Sequence, residues 1–279
     1  MRSALAATAL LLPVVAFLPG CTGKAAPETV LLSAAGSVHE GMLGWRSVTD
    51  DTIGLATTGT VDVDVELFGG DVTVVTNPTL RQTEVTVRRT GTHGWFRGDE
   101  SMESLGEIHY IVSKESVDGR DRTVVRAGTD HPEPHFQAVE VEIAVPDLGS
   151  VHVATQRGNV WIEGNRGAAD VHTSRGSIRL MTPWKMDGAL SLVTCDGLVD
   201  LRLRGESTGL VDAATVGGNV KTRIKYGKWV ALDEGNDADS LRATLNGGRN
   251  PIVLRTSNAD VLVSVVPNPV TSNPARAIP

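Results

Sequence analysis

Four residues whose types could do chemistry share one place in a recurring pattern. His152, Asp170, Ser191 and Asp212 each stand three positions before a threonine, at Thr155, Thr173, Thr194 and Thr215. Serine, histidine and aspartate are the constituents of a nucleophilic triad, in which the histidine must lie between the serine and the acid. If these positions stack as neighbouring strands about 4.8 Å apart, Asp170 stands between the other two. Ser191 is then roughly 9–10 Å from His152, too far for proton transfer. A solvated face with a His152–Asp170 cross-strand pair is the expectation, with no catalytic residue among the four.

Other chemistry-bearing groups are equally sparse. His131-Pro-Glu-Pro-His135 brings two imidazoles and a carboxylate together, with His93 and His109 elsewhere in the chain. A metal centre needs three or four ligands in defined geometry, so none is expected, nor any cofactor. Cys195 sits in TCDGLV, where nothing cationic would favour its thiolate, and reads as an ordinary corner residue.

The threonines belong to a unit, Thr-x-x-Gly-x-Val/Ile: TQRGNV from Thr155, TSRGSI from Thr173, TCDGLV from Thr194 and TVGGNV from Thr215. LFGGDV from Leu67 and TSNADV from Thr256 are variants of it. A phosphate-gripping loop needs converging N–H groups at a helix start, and here strand patterns stand on both sides of the glycine. Thr155, Gly158, Thr173, Gly176, Thr194, Gly197, Thr215 and Gly218 are therefore structural corners, with glycine supplying the bend and threonine closing a strand.

The four threonines are spaced by 18, 21 and 21 residues. Around them, apolar residues fall in register. Val151, Ala169, Leu190 and Val211 precede the threonine by four; Val160, Ile178, Val199 and Val220 follow it by five. Intervening columns are polar. Each period then holds two short strands, one face in and one out, and stacking buries a core that no single period has alone. The predicted fold is all-β, a β-solenoid or β-helix-like stack of short strands with repeats of about 20 residues. Six positions after the threonine, Trp161, Arg179, Asp200 and Lys221 form one outer column, a candidate interaction surface.

Ahead of the repeats, Val61, Val63, Val65 and Leu67 alternate with acidic residues, the mark of a half-buried strand. Further strands are expected at 83–89, 108–114, 122–127 and 139–145, with 91–106 and 128–135 as loops and no sustained helical period. Arg2 followed by an apolar run and Leu18-Pro19-Gly20-Cys21 reads as a lipoprotein-type signal with Cys21 lipidated; a plain secretory signal is the alternative. The expected organisation is a signal peptide over 1–20, a tether or lead-in over 21–55, and an N-terminal β part over 56–149. Regular repeats over 150–266 and a Pro-rich tail over 267–279 follow. A net charge of −7 excludes a nucleic-acid partner, which requires a basic surface.

The VEIAVPDLGSVHV approach, Val141 to Val153, and the recurring T-x-x-G-x-V/I corner resemble the putative-adhesin family of bacterial envelope β-repeat proteins. The resemblance covers about residues 61–265. It implies an extracytoplasmic β-repeat module with a role in adhesion or envelope sensing, and no catalytic residues. The expectation is a non-enzymatic envelope protein, anchored to the membrane through its N-terminal lipid and facing an envelope protein or a glycan. The outer membrane or cell surface is its expected place rather than the inner membrane. A polysaccharide-acting enzyme using outward carboxylates, and a purely structural spacer, are the alternatives.

Overall fold

The computed structural model describes residues 28–30, 37–41, 44–94, 97–232 and 236–271. The expected signal peptide over 1–20, Cys21, most of residues 22–43 and the end of the chain from 272 lie outside the described residues. The first part comprises β1 (Glu28–Val30), β2 (Ser37–Gly41), β3 (Gly44–Leu55), β4 (Val61–Leu67), β5 (Val72–Thr76) and β6 (Thr83–His93). A short helix, α1 (Gly98–Leu105), precedes β7 (Ile108–Val117), β8 (Arg120–Thr129) and β9 (Gln137–Val145). The repeats supply β10 (Leu148–Arg157), β11 (Val160–Glu163), β12 (Ala169–Arg175), β13 (Ile178–Met181), β14 (Leu190–Asp196) and β15 (Val199–Arg204). They continue with β16 (Gly209–Ala214), β17 (Val220–Ile224), β18 (Trp229–Ala231), β19 (Ser240–Leu245), β20 (Pro251–Arg255) and β21 (Val261–Val266).

These strands form two mixed sheets. The first has the order β1-β7-β8-β4-β10-β12-β14-β20-β16-β19-β18, the second β17-β21-β15-β13-β11-β5-β9-β6-β3-β2. Each glycine corner carries the chain from the first sheet to the second, as from β10 to β11 and from β12 to β13. From β4 to β16 on the first sheet and from β9 to β17 on the second, neighbouring strands pair in parallel, with Thr155 opposite Thr173 and Thr173 opposite Thr194, as the repeat columns require. The apolar columns meet between the sheets, where Val153, Val171, Leu192, Ile162, Leu180 and Leu201 are fully buried. One continuous apolar cluster runs from Ile53 to Val265.

Three features depart from the expectations. Threonines 194 and 215 are not on adjacent rungs: β20 and β21 insert between the third and fourth repeats, so Leu190 faces Ile252, which faces Val211. The physical reason lies in composition. Ile252, Leu254, Val261, Val263 and Val265 are buried, whereas β17 puts Thr222 in the apolar column. The less apolar strand takes the edge of the second sheet and stays largely exposed.

The lead-in expected over 21–55 contains β3, which pairs antiparallel with β6 along its whole length. Its inward residues are Ser47, Thr49 and Asp51 before Ile53 and Leu55, so most of its buried face is polar and carries no apolar alternation. The loop expected over 91–106 contains α1, whose buried side is Ser101, Ser104 and Leu105. Ser101 Oγ donates to Gly91 O at 2.8 Å, which ties the helix to β6 without an apolar stripe.

The corners have a tighter logic than a turn alone. The hydroxyls of Thr173, Thr194 and Thr256 donate to Gly158 O, Gly176 O and Gly197 O of the preceding rung, at 3.2, 2.9 and 2.8 Å. Thr215 donates likewise to Ala259 O at 2.7 Å. Gly176 has φ of +143°, and a methyl group there would overlap Gly158 O on the neighbouring rung. Glycine is required both for the backbone conformation and for the approach of one corner to the next.

Candidate binding face

The outer face of the first sheet is built by the positions that alternate with the core columns. Asp64 on β4 lies opposite His152 on β10, which lies opposite Asp170 on β12 and then Ser191 on β14. One residue pair further along the strands, Arg126 on β8 adjoins Glu66, followed by Ala154, His172 and Val193. The result is a polar band in which Arg126 and two imidazoles lie among carboxylates. Arg126 reaches Asp64 Oδ2 at 2.8 Å and Glu66 Oε2 at 3.2 Å. His152 Nδ1 lies 3.4 Å from Asp170 Oδ2, and His172 Nε2 lies 2.8 Å from Asp170 Oδ1.

Beside this band a groove of about 740 Å³ opens over the strand ends. Leu67, Phe68, Ile111 and Val193 give it apolar surface, while Glu66, Arg126 and His172 mark its polar side. Ile111 is 47% exposed, unusual for a large aliphatic side chain, and belongs to the groove. Tyr110, which alternates with Ile111 on β7, also lines it, and its hydroxyl donates to Asp51 Oδ2 in the interior. Burial, reinforced by the Asp51 carboxylate, pushes the Tyr110 phenol well above its ordinary range, so it stays protonated as a donor. The groove thus opens on paired strands whose inner side is tied to β3 by this buried bond. It can take a ligand with an apolar part and polar or charged groups at one edge.

The expected His152–Asp170 pair is present. Asp212 does not continue the ladder, because Val253 of the inserted β20 separates it from Ser191, and it pairs instead with Arg255 at 2.8 Å. The outer column of the second sheet is altered by the same insertion. Trp161, Arg179 and Asp200 are neighbours, with the Arg179 guanidinium 4.9 Å from the Trp161 ring centre and 2.9 Å from Asp200 Oδ2. Asp200, however, is buried against Arg202 at 2.7 Å. Lys221 is separated from Asp200 by Leu262 and bonds Asp260 at 2.6 Å, which holds that carboxyl below its ordinary range. The four do not form one exposed stripe.

His131 and His135 flank different partners. His131 lies edge-on to the buried His93, ring centres 5.6 Å apart, and His135 packs on Phe136. His93 is 2% exposed with both ring nitrogens unpartnered, and burial, with the nearby Arg97 charge, pushes its pKa down. Cys195 is exposed and lines the groove.

Sequence reasoning missed Asp64, Glu66, Arg126 and His172 as members of the face. A signal for two of them was present. Aligning LFGGDV with the other corners places Leu67 in the threonine column, which puts Asp64 in line with His152 and Glu66 in line with His172. Arg126 has no such signal, since its strand joins β4 from outside the repeats.

The fold and this face define an all-β protein of two stacked mixed sheets with a grooved outer surface. That fold is shared with a putative cell adhesion protein from Clostridium sporogenes. The match has a TM-score of 0.54 at 9% identity and covers 78% of this chain and 100% of the other. A putative adhesin from Bacteroides fragilis also aligns, at TM-score 0.28 and 8% identity, over 78% of this chain and 97% of the other. No family model matches the chain, and no curated protein does. No helix among the described residues is long and apolar enough to cross a membrane.

Proposed function

We propose that the protein is a non-enzymatic binding module of the bacterial cell envelope that uses the groove on its first sheet for adhesion. The observation that carries this reading is the groove itself: about 740 Å³, lined by apolar side chains and by Glu66, Arg126 and His172. Pockets of this size and mixed character suit a glycan or a protein segment. The shared fold with a protein described as a cell adhesion protein supports the same direction. Cys21, within Leu-Pro-Gly-Cys, carries the lipid anchor in this reading, and the outer membrane or cell surface is the place of action. The parallel rungs act as a β-solenoid, a stiff support that holds the face away from the membrane.

The test compares two surfaces on opposite sheets. A glycan array and an envelope pull-down are run with the wild type, Ile111→Asp and Trp161→Ala. The groove reading expects Ile111→Asp to lose the captured partner and Trp161→Ala to keep it. Equal capture by Ile111→Asp and the wild type would overturn the reading.

A further inference from the structure

Asp64, Glu66 and His152 each offer one ligand atom, and these atoms lie within 4.8 Å of one another on the outer face of the first sheet. We propose that this cluster is a binding site for a borderline divalent cation of the zinc type, with these three residues as its ligands. The proposal does not depend on the groove having an adhesive role.

An imidazole with two carboxylates suits zinc, whereas calcium and magnesium sites are built from oxygen alone. Zinc bonds of about 2.0–2.1 Å in a tetrahedron bring donors to about 3.4 Å from each other. The cluster needs to contract by little more than an ångström, and Glu66 and His152, with side chains 53% and 41% exposed, are free to turn.

A carboxylate stands behind the histidine. Asp170 Oδ2 lies 3.4 Å from His152 Nδ1, and His172 Nε2 holds the other oxygen of the same carboxylate at 2.8 Å. The contact with Asp170 is at ion-pair distance, and a small turn of the exposed ring lets that carboxylate accept from Nδ1 and leaves the second nitrogen for a metal. Among the described residues, nothing hydrogen-bonds that second nitrogen.

Asp64 also carries an unsatisfied atom. Asp64 Oδ1 is buried and has no hydrogen-bond partner, although Oδ2 of the same carboxylate accepts from Arg126 Nη2 at 2.8 Å. A buried carboxylate oxygen without a donor is costly, and a cation supplies what is missing.

Arg126 is the competing group. Its guanidinium spans Asp64 and Glu66 and so neutralises the two carboxylates in place of a metal. Metal binding therefore releases Arg126, which lines the groove together with Glu66. Because of this competition, removing Arg126 strengthens metal binding at the cluster.

The experiment is isothermal titration of zinc chloride into the full chain, with folding of each variant checked by circular dichroism. One zinc ion per chain is expected. His152→Ala and Glu66→Gln each weaken binding by about 100-fold or more, and Asp170→Asn, acting through His152, by about 10- to 100-fold. Arg126→Ala tightens it by roughly fivefold. Glu66 is half exposed, so the Glu66→Gln test stands even if His152→Ala perturbs the fold. Zinc affinity unchanged in both His152→Ala and Glu66→Gln would overturn the proposal. So would weaker binding in Arg126→Ala, a site lost in His131→Ala instead, or no zinc binding by the folded wild type.

Discussion

Replacing glycine by alanine at Gly59, in the bend before β4, and at the corners Gly218 and Gly176 separates the two reasons for which a position needs glycine. Gly59 has φ of +67° and open space around it, so Gly59→Ala meets only the cost of a left-handed backbone. That cost is about 1–2 kcal/mol, partly offset by about 0.4–1 kcal/mol from the stiffer unfolded chain. Gly218 lies outside the left-handed range, but an added methyl group would overlap Ala259 O. The obstacle is backbone, held in place by strand pairing, and overpacking of this kind costs about 1–3 kcal/mol. Gly176 combines φ of +143° with overlap against Gly158 O, in the middle of the stack where neither rung can retreat. Gly176→Ala should therefore cost about 3 kcal/mol or more, the sum of the two effects. In urea unfolding the order of loss is Gly176 first, Gly218 second and Gly59 least. If Gly176→Ala loses no more stability than Gly59→Ala, the close approach of successive corners does not constrain the stack.

Thr194→Val removes the hydroxyl that donates to Gly176 O from a buried position, and should lower unfolding stability by about 1 kcal/mol, read from the denaturant midpoint at unchanged m-value. Leu192→Ala in the middle of the core should cost about 2–5 kcal/mol, whereas Leu232→Ala on the exposed surface should stay within about 0.5 kcal/mol. Burial lowers the pKa of His93 in the folded chain, so below about pH 6.5 the unfolded chain binds more protons. That contribution is fully present above about pH 6.5 and is lost as pH falls toward the depressed folded value. Melting temperatures measured from pH 7.5 to 5 should decline less steeply in His93→Phe than in the wild type.

The regular part of the fold was legible because each repeat repeats its own burial pattern. Val153, Val171 and Leu192 share a column in the sequence and share a layer in the core. Legibility ended where a strand's inward face is polar, as with Ser47, Thr49 and Asp51 on β3, since period-two alternation is visible only when the buried side is apolar. It ended also at rung order. Spacing alone places Thr256 two periods beyond Thr215, but the relative apolarity of β21 and β17 sets which strand lies inside. The same displacement separated Lys221 from Asp200 and Asp212 from Ser191, so the sequence columns overstated both outer ladders. On the binding face, His152 and Asp170 were visible as neighbours. The groove was not, because Ile111 and Arg126 reach it from the β7–β8 hairpin, which carries no repeat.

The native thiol of Cys195 allows the most direct test of the groove. With Cys21 replaced by serine, Cys195 is the sole thiol in the chain, exposed and on the groove wall. A bulky maleimide attached there fills the groove while leaving the Trp161 surface untouched. The measurement is capture of the envelope or glycan partner by labelled and unlabelled protein, with melting temperature as the control for folding. Loss of capture on labelling at unchanged melting temperature is expected. Full capture by the labelled protein would contradict it.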